Sequence, residues 1–312
     1  LANEIGVDLI HDQMAPLGFG RLTGIDLKGE VTGILPSTDW KRKAYRRPEQ
    51  KKWFAGETIS LGIGQGYNSF TMLQMATALG TVVSNGQRFE PRLVNHIENV
   101  LTRERRTTDR VALPPVPYKP EHTAFIRDAM FGVTQEGTST RVFVGAAYQS
   151  GGKTGTAQAV GLRQNEKYVA SKMDEYKRDH SLYEAFAPLS NPRVALAVIV
   201  ENAGFGAEAA APIARRVLDY LLMDIYPSEE DIAAVQLGKA ASPIGVARKA
   251  SAMPLPRGLD AFGADVPTVP DKAAASASAA SAAAAAQAVS AASVASSSSM
   301  PSAAMAASGG AV

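Results

Sequence analysis

Ser150-Gly151-Gly152-Lys153-Thr154-Gly155-Thr156-Ala157-Gln158 is the stretch of this sequence whose residue types can do chemistry. On an extended strand, Lys153 and Thr154 set a cation beside a hydroxyl donor. Gly155 removes the side chain that would obstruct a ligand lying against the strand edge. An extended peptide ending in a carboxylate suits that arrangement. Main-chain groups of the strand pair with the peptide, while ammonium and hydroxyl hold its terminal charge.

Other readings of the same residues compete. A phosphate-binding Gly-x4-Gly-Lys-Thr loop needs its first glycine at position 147, which is Ala147, and it opens a helix where this segment reads as a strand. A dinucleotide-binding Gly-x-Gly-x-x-Gly at Gly62-Ile63-Gly64-Gln65-Gly66 fails in both registers, meeting Tyr67 or Ser69 in place of the third glycine. These glycines instead permit a tight turn under the helix that follows. Lys-Thr-Gly alone is a tripeptide common by chance.

The elements that must position these residues follow from periodicity. Residues 2–16 alternate as a helix stopped by Pro16 and Gly18. Met72, Met75, Ala76, Leu79, Val82 and Val83 share one helical face, with Asn68 or Ser69 as cap and Asn85-Gly86 as stop. Glu121 to Val133 reads as another helix. Strands are expected at Tyr148 to Gly161, Ser181 to Ala187 and Arg193 to Glu201. The last is an apolar run of the kind buried on both faces. Asn191-Pro192 joins the latter two as an antiparallel hairpin. Ala209 to Leu222, with Ile213, Val217, Leu218 and Leu221 in one stripe, closes the domain as a helix. Helices, a meander of strands and a closing helix indicate an α+β fold.

Composition bounds the rest. With 312 residues, 46% of them hydrophobic, the chain can bury a real core. A net charge of +2 argues against a dedicated nucleic-acid binder. The lack of cysteine excludes disulfides, thiolate metal sites and Cys nucleophiles within these residues. The longest strongly apolar run, Val194 to Val200, is far short of the roughly 20 residues that span a bilayer. Residues 1–226 read as the globular part, 227–272 as an irregular proline-containing linker, and 273–312 as a disordered Ala/Ser tail.

Taken together, Thr23-Gly24-Ile25-Asp26-Leu27, Gly62 to Tyr67, Met72-Leu73-Gln74-Met75-Ala76, Asn85-Gly86, Lys153 to Gln158, Glu184-Ala185-Phe186-Ala187-Pro188 and Val194 to Asn202 resemble, in order and spacing, the transpeptidase domain of class B penicillin-binding proteins of the elongation type. The resemblance covers residues 1–222. Lys-Thr-Gly, with Ser-x-x-Lys and Ser-Asp-Asn, is a signature shared by β-lactamases and penicillin-binding proteins. The resemblance implies a penicillin-binding/β-lactamase-like fold, an antiparallel sheet flanked by helices and here truncated on its N-terminal side. It implies a peptidoglycan D,D-transpeptidase that works through an acyl-serine intermediate, binds stem peptides ending in D-Ala-D-Ala, and is trapped by β-lactams. A β-lactamase or D,D-carboxypeptidase of the same fold, a penicillin-sensing domain and a nucleotide binder are the alternatives. By motif position Lys153, Thr154 and Gly155 would bind substrate. The backbone N–H of Thr156 would be an oxyanion donor.

Two signature elements are missing. Ser150-Gly151-Gly152-Lys153 matches Ser-x-x-Lys formally, but two glycines are poor helix formers and its lysine belongs to the strand. Ser37-Thr38-Asp39 matches the second element formally and lies too far after the first helix. The nucleophile serine and base lysine are therefore expected upstream of Leu1, leaving this chain inactive alone. The resemblance also implies an upstream membrane anchor, a periplasm-facing location at the bacterial inner membrane, and the cell-elongation and glycosyltransferase machinery as partners. No cofactor is implied, and His11, His96, His122 and His180 show no metal-ligand spacing. The basic, aromatic stretch Trp40 to Phe54 reads as a solvated loop anchored by two tryptophans, ahead of anionic cell-wall or lipid contact and of single-stranded nucleic acid. Tyr168 to His180 reads as a charged excursion between strands.

Overall fold

The computed structural model describes residues 1–159, 173–239 and 241–253. The expected Ala/Ser tail at 273–312 and the start of the charged excursion at 168–172 lie outside the described residues. Near the N-terminus one helix was expected and two are found. Gly6 takes a left-handed φ of 83° and breaks the run into α1 (Ala2–Ile5) and α2 (Val7–Met14).

The segment expected as a solvated loop folds as α3 (Thr38–Ala44) and α4 (Pro48–Lys51), followed by α5 (Ala55–Gly62). Ser37, the residue of the formal Ser-x-Asp match, caps α3 by accepting from the Trp40 N–H at 3.0 Å. Lys41 is not solvated. Its side chain is 2% exposed, ion-paired with Glu57 and surrounded by the rings of Trp53, Phe54 and Tyr67. The Tyr67 hydroxyl donates to the same carboxylate at 2.9 Å. Burial and that carboxylate push the Tyr67 pKa far up.

α6 (Met72–Val83) is the amphipathic helix predicted, ending at Asn85 and Gly86 with φ of 55° and 86°. Its cap is Thr71, in place of the Asn68 or Ser69 expected. The Thr71 hydroxyl accepts from the Gln74 N–H, and Gln74 returns the bond to the Thr71 N–H. Buried Gln74 also donates to the carbonyls of Arg21 and Thr32, which ties the long loop before α3 to this helix.

Two small antiparallel ladders come next, β1 (Arg88–Phe89) with β4 (Ala112–Leu113), and β2 (His96–Glu98) with β3 (Arg105–Thr107). α7 (Pro120–Gln135) and α8 (Thr140–Phe143) lead into the central sheet. Its strands β5 (Gly151–Ala157), β6 (His180–Ala187) and β7 (Val194–Val200) run antiparallel in the order β5-β6-β7. β5 is shorter than the expected 148–161, and residues 160 and 161 are outside the described set.

The sheet is sandwiched. On one face Phe186 and Ala195 pack with Leu79 and Val83 of α6 and Met130 of α7. On the other, Tyr183, Ala185 and Ala187 pack against Ala210, Ala211, Ala214 and Leu218 of α9 (Ala210–Met223) and against Val142 and Phe143 of α8. β7 was expected to be buried on both faces, yet Ile199 is 39% exposed, because α6 covers only the Ala195 end of its face.

Of the linker expected at 227–272, residues 227–239 and 241–253 are described and carry regular elements, while 254–272 lie outside the described residues. β8 (Ile225–Tyr226) pairs with β9 (Arg248–Lys249), and α10 (Glu229–Gln236) lies between them. Arg216 of α9 makes a bidentate pair with fully buried Asp231 at 2.6 and 2.9 Å. The same carboxylate accepts from the Ile244 N–H. This long-range clamp ties α10 and the backbone at Ile244 to α9, and Asp224 accepts from the Ser251 N–H and hydroxyl further along. Among the described residues no helix is long and apolar enough to cross a membrane.

Candidate active site

β5 is the edge strand of the sheet among the described residues, and its sequence is the Lys-Thr-Gly segment. Three features place it. Arg215 of α9 donates to the carbonyls of Val142 and Val144 and pairs with Asp219, which in turn accepts from the Tyr148 hydroxyl at 2.8 Å, fixing the lead-in. Gly151 and Gly152 are then required by packing. A Cβ on Gly151 would overlap the Phe186 ring, and one on Gly152 would overlap the Tyr183 hydroxyl. The full register with β6 sets Lys153 opposite Glu184, Thr154 opposite Tyr183 and Thr156 opposite Ser181.

The free edge can be read from two contacts. Gln65 Nε2 donates to the Thr156 carbonyl at 3.4 Å, from the Gly-rich turn between α5 and α6. Lys153 Nζ donates to the Thr154 carbonyl at 2.8 Å. In a strand the N–H and C=O of one residue leave on the same side, and residues two apart share that side. Thr154 and Thr156 therefore turn their N–H and C=O groups outward, while Gly155 turns inward to Leu182. The inward turn agrees with Gly206, which lies directly against the backbone N and O of Gly155 and the Leu182 carbonyl. Any Cβ on Gly206 would collide there.

Thr154 shares a hydrogen bond with Thr138, Oγ1 to Oγ1 at 3.1 Å. The structure thus brings Lys153, Thr154 and Thr156 to one edge. Gly155 keeps its missing side chain toward Leu182, whose Cβ would sit 3.1 Å from a Cβ there. Glu184, on the same face as Lys153, has its carboxyl pushed up to about 7 by burial, with Lys153 opposing the rise. Sequence reasoning missed Gln65, Gly206 and Glu184 as neighbours of the site, since each is placed by strand register or a distant loop. The glycines flanking Gln65 were the available signal; Gly64 and Gly66 have φ of 78° and 71°.

Several sequence candidates fall elsewhere. Ser150 is buried just before β5, its carbonyl accepting from Thr134 Oγ1, and an odd spacing on extended backbone turns it away from Lys153. The phosphate-loop reading fails as well, because Lys153 and Thr154 lie within a strand and do not open a helix. His180 accepts from the Asn202 N–H. Among the described residues no three His, Cys, Asp or Glu side chains gather as a metal site.

Comparison with known proteins adds the remaining observations. Residues 1–219 match the family described as the penicillin binding protein transpeptidase domain. The chain is similar to peptidoglycan D,D-transpeptidase MrdA of Salmonella typhimurium, 39% identical over 227 residues that make up 71% of this chain and 35% of that protein. It is similar to Pseudomonas aeruginosa PBP2, solved with WCK 5153, at a TM-score of 0.57 and 32% identity, covering 72% of this chain and 46% of that one. A chain from a peptidoglycan synthase complex that coordinates polymerization and crosslinking is also similar, with a TM-score of 0.54 and 29% identity, over 68% of this chain and 32% of that one. The chain spans about a third of the length of the curated relatives it matches.

Proposed function

The chain belongs to the penicillin binding protein transpeptidase domain family, and we propose that it is the C-terminal part of a peptidoglycan D,D-transpeptidase whose edge for the acyl-donor peptide is β5. In the reaction a serine hydroxyl adds to the penultimate D-alanine carbonyl of a stem peptide. The terminal D-alanine departs with a proton on its nitrogen, and an amine of a neighbouring strand then takes the acyl group from the serine. The serine and its lysine base come from a segment upstream of Leu1, so this chain alone does not turn over.

The observation that carries this reading is the outward edge of β5, with Lys153 Nζ beside it and the Thr154 hydroxyl next to it. The substrate lies antiparallel to that edge. Lys153 and Thr154 take its terminal carboxylate, and the Thr156 N–H is one donor to the oxyanion formed on attack. Such a donor is worth roughly 3 kcal/mol in the transition state. Gly155 keeps the edge flat where the peptide backbone approaches. β-Lactams reproduce the acyl-D-alanine end, and their opened ring stays on the serine.

By the same reading the parent is held at the bacterial inner membrane by an upstream anchor, facing the periplasm. It works with glycosyltransferase and elongation machinery, as supported by the likeness to a chain of a peptidoglycan synthase complex. Intact-mass spectrometry of the full-length parent after benzylpenicillin tests the reading. One adduct per chain that persists for many minutes is expected. A folded parent with no adduct would refute it, and rapid release of hydrolysed product would make it a β-lactamase.

A further inference from the structure

We propose that Glu184 is a positioning residue that decides whether the Lys153 ammonium stands at the β5 edge or is drawn back over the sheet, and so sets how tightly a substrate carboxylate is held. The proposal rests on the transpeptidase reading above. It starts from register. Lys153 and Glu184 are direct cross-strand partners, so their side chains leave the same face about 5 Å apart at Cβ. Opposite charges so placed usually close an ion pair. Here Lys153 reaches past its partner to the Thr154 carbonyl at the free edge, 2.8 Å away.

The surroundings explain why the pair stays open. Glu184 is flanked on β7 by Ala197, and the same face continues through Phe186 on one side and Leu182 on the other. Burial raises its carboxyl to about 7, and Lys153 is the charged group that acts on it. α6 carries no charged residue, and α7 turns Met130 toward this face. The other charged groups nearby along the chain are Glu121, His122, Arg127 and Asp128 of α7 and Arg193 and Glu201 flanking β7. Arg215, Arg216 and Asp219 lie on the opposite face, in ion pairs of their own.

Two states follow. With Glu184 neutral, the ammonium stays at the edge with its full charge available to an incoming carboxylate. With Glu184 ionised, attraction across the ladder pulls the ammonium onto the face and cancels its charge. Carboxylate capture then weakens as pH rises through about 7. The effect belongs to binding and leaves the acyl-transfer step itself unchanged.

The test uses the full-length parent and the acylation kinetics of benzylpenicillin from pH 5.5 to 8.5, resolved into binding constant and maximal rate. The ratio of wild type to Glu184→Gln removes every titration the two share. The wild-type binding constant is expected to weaken roughly tenfold relative to Glu184→Gln across this range, with equal maximal rates. Glu184→Asp should restore the pH dependence. The methyl ester of benzylpenicillin, which lacks the carboxylate, should show no difference between wild type and Glu184→Gln. Parallel profiles for wild type and Glu184→Gln would overturn the proposal while leaving the transpeptidase reading intact. A folded parent that forms no adduct at any pH would overturn both.

Discussion

Two lysines in this molecule meet a glutamate in opposite ways. Lys41 is 2% exposed, locked onto Glu57 and boxed by Trp53, Phe54 and Tyr67. Lys153 faces Glu184 across a ladder, stays exposed, and donates a hydrogen bond to a main-chain carbonyl at what is, among the described residues, the sheet's edge. The first arrangement buries the ammonium against its carboxylate and the rings, out of reach of anything arriving from outside. The second leaves an exposed cation at the edge strand of the sheet. Charge satisfied internally builds structure, and charge left open at an edge is available to a ligand.

Substitutions should separate the two. Lys41→Ala leaves Glu57 without its cation in an aromatic surround, and breaking such a pair costs about 3–5 kcal/mol. Urea denaturation should show that loss, and a Lys41→Met, Glu57→Gln double variant should recover much of it. Asp231→Ala should cost a comparable amount by orphaning the Arg216 guanidinium, and it should expose the chain after Tyr226 to protease. A wild-type midpoint for either variant would mean that these pairs are screened by water after all.

The glutamates differ as well. The carboxyl of Glu184, raised from 4.5 to about 7, stabilises the folded state fully below pH 4.5, and this contribution is lost as pH rises through 7, about 3 kcal/mol in all. Glu184→Gln should therefore flatten the fall in stability between pH 4.5 and 8, measured by urea midpoints. Asp26 acts in the reverse sense. The N–H groups of Leu93 and Val94 hold its carboxylate below the ordinary 3.8, so its contribution disappears as pH falls. Smallest of all should be Lys153→Ala measured on stability, within about 0.5 kcal/mol of wild type, since the side chain is exposed and packs no core. The same variant should slow β-lactam acylation at least tenfold, equivalent to a charge-assisted hydrogen bond of roughly 1.5–3 kcal/mol.

The parts of the fold that could be read in advance are those set by local pattern. The α6 stripe, the stop at Asn85-Gly86, the β6–β7 hairpin and the α9 stripe stand close to where periodicity put them. Lys153, Thr154, Gly155 and Thr156 do lie on a strand. What escaped depends on distance along the chain. Gly6 breaks a run that periodicity carries straight through. Lys41 is buried because Glu57 and Tyr67 wait for it, which composition reads as a solvated basic stretch. The order beyond Tyr226 comes from Arg216 and Asp231, fifteen residues apart and invisible to propensity. Glu184 became part of the site only through register, because a slip of one residue would send its side chain to the other face.

The most direct measurement is a crystal structure of the full-length parent acylated by benzylpenicillin. The acyl carbonyl oxygen should lie about 2.7–3.1 Å from the backbone N of Thr156, with the antibiotic carboxylate on the Thr154 hydroxyl and the Lys153 ammonium at hand. An adduct whose carbonyl and carboxylate both lie away from the outer edge of β5 would contradict the assignment of that edge as the substrate-binding strand.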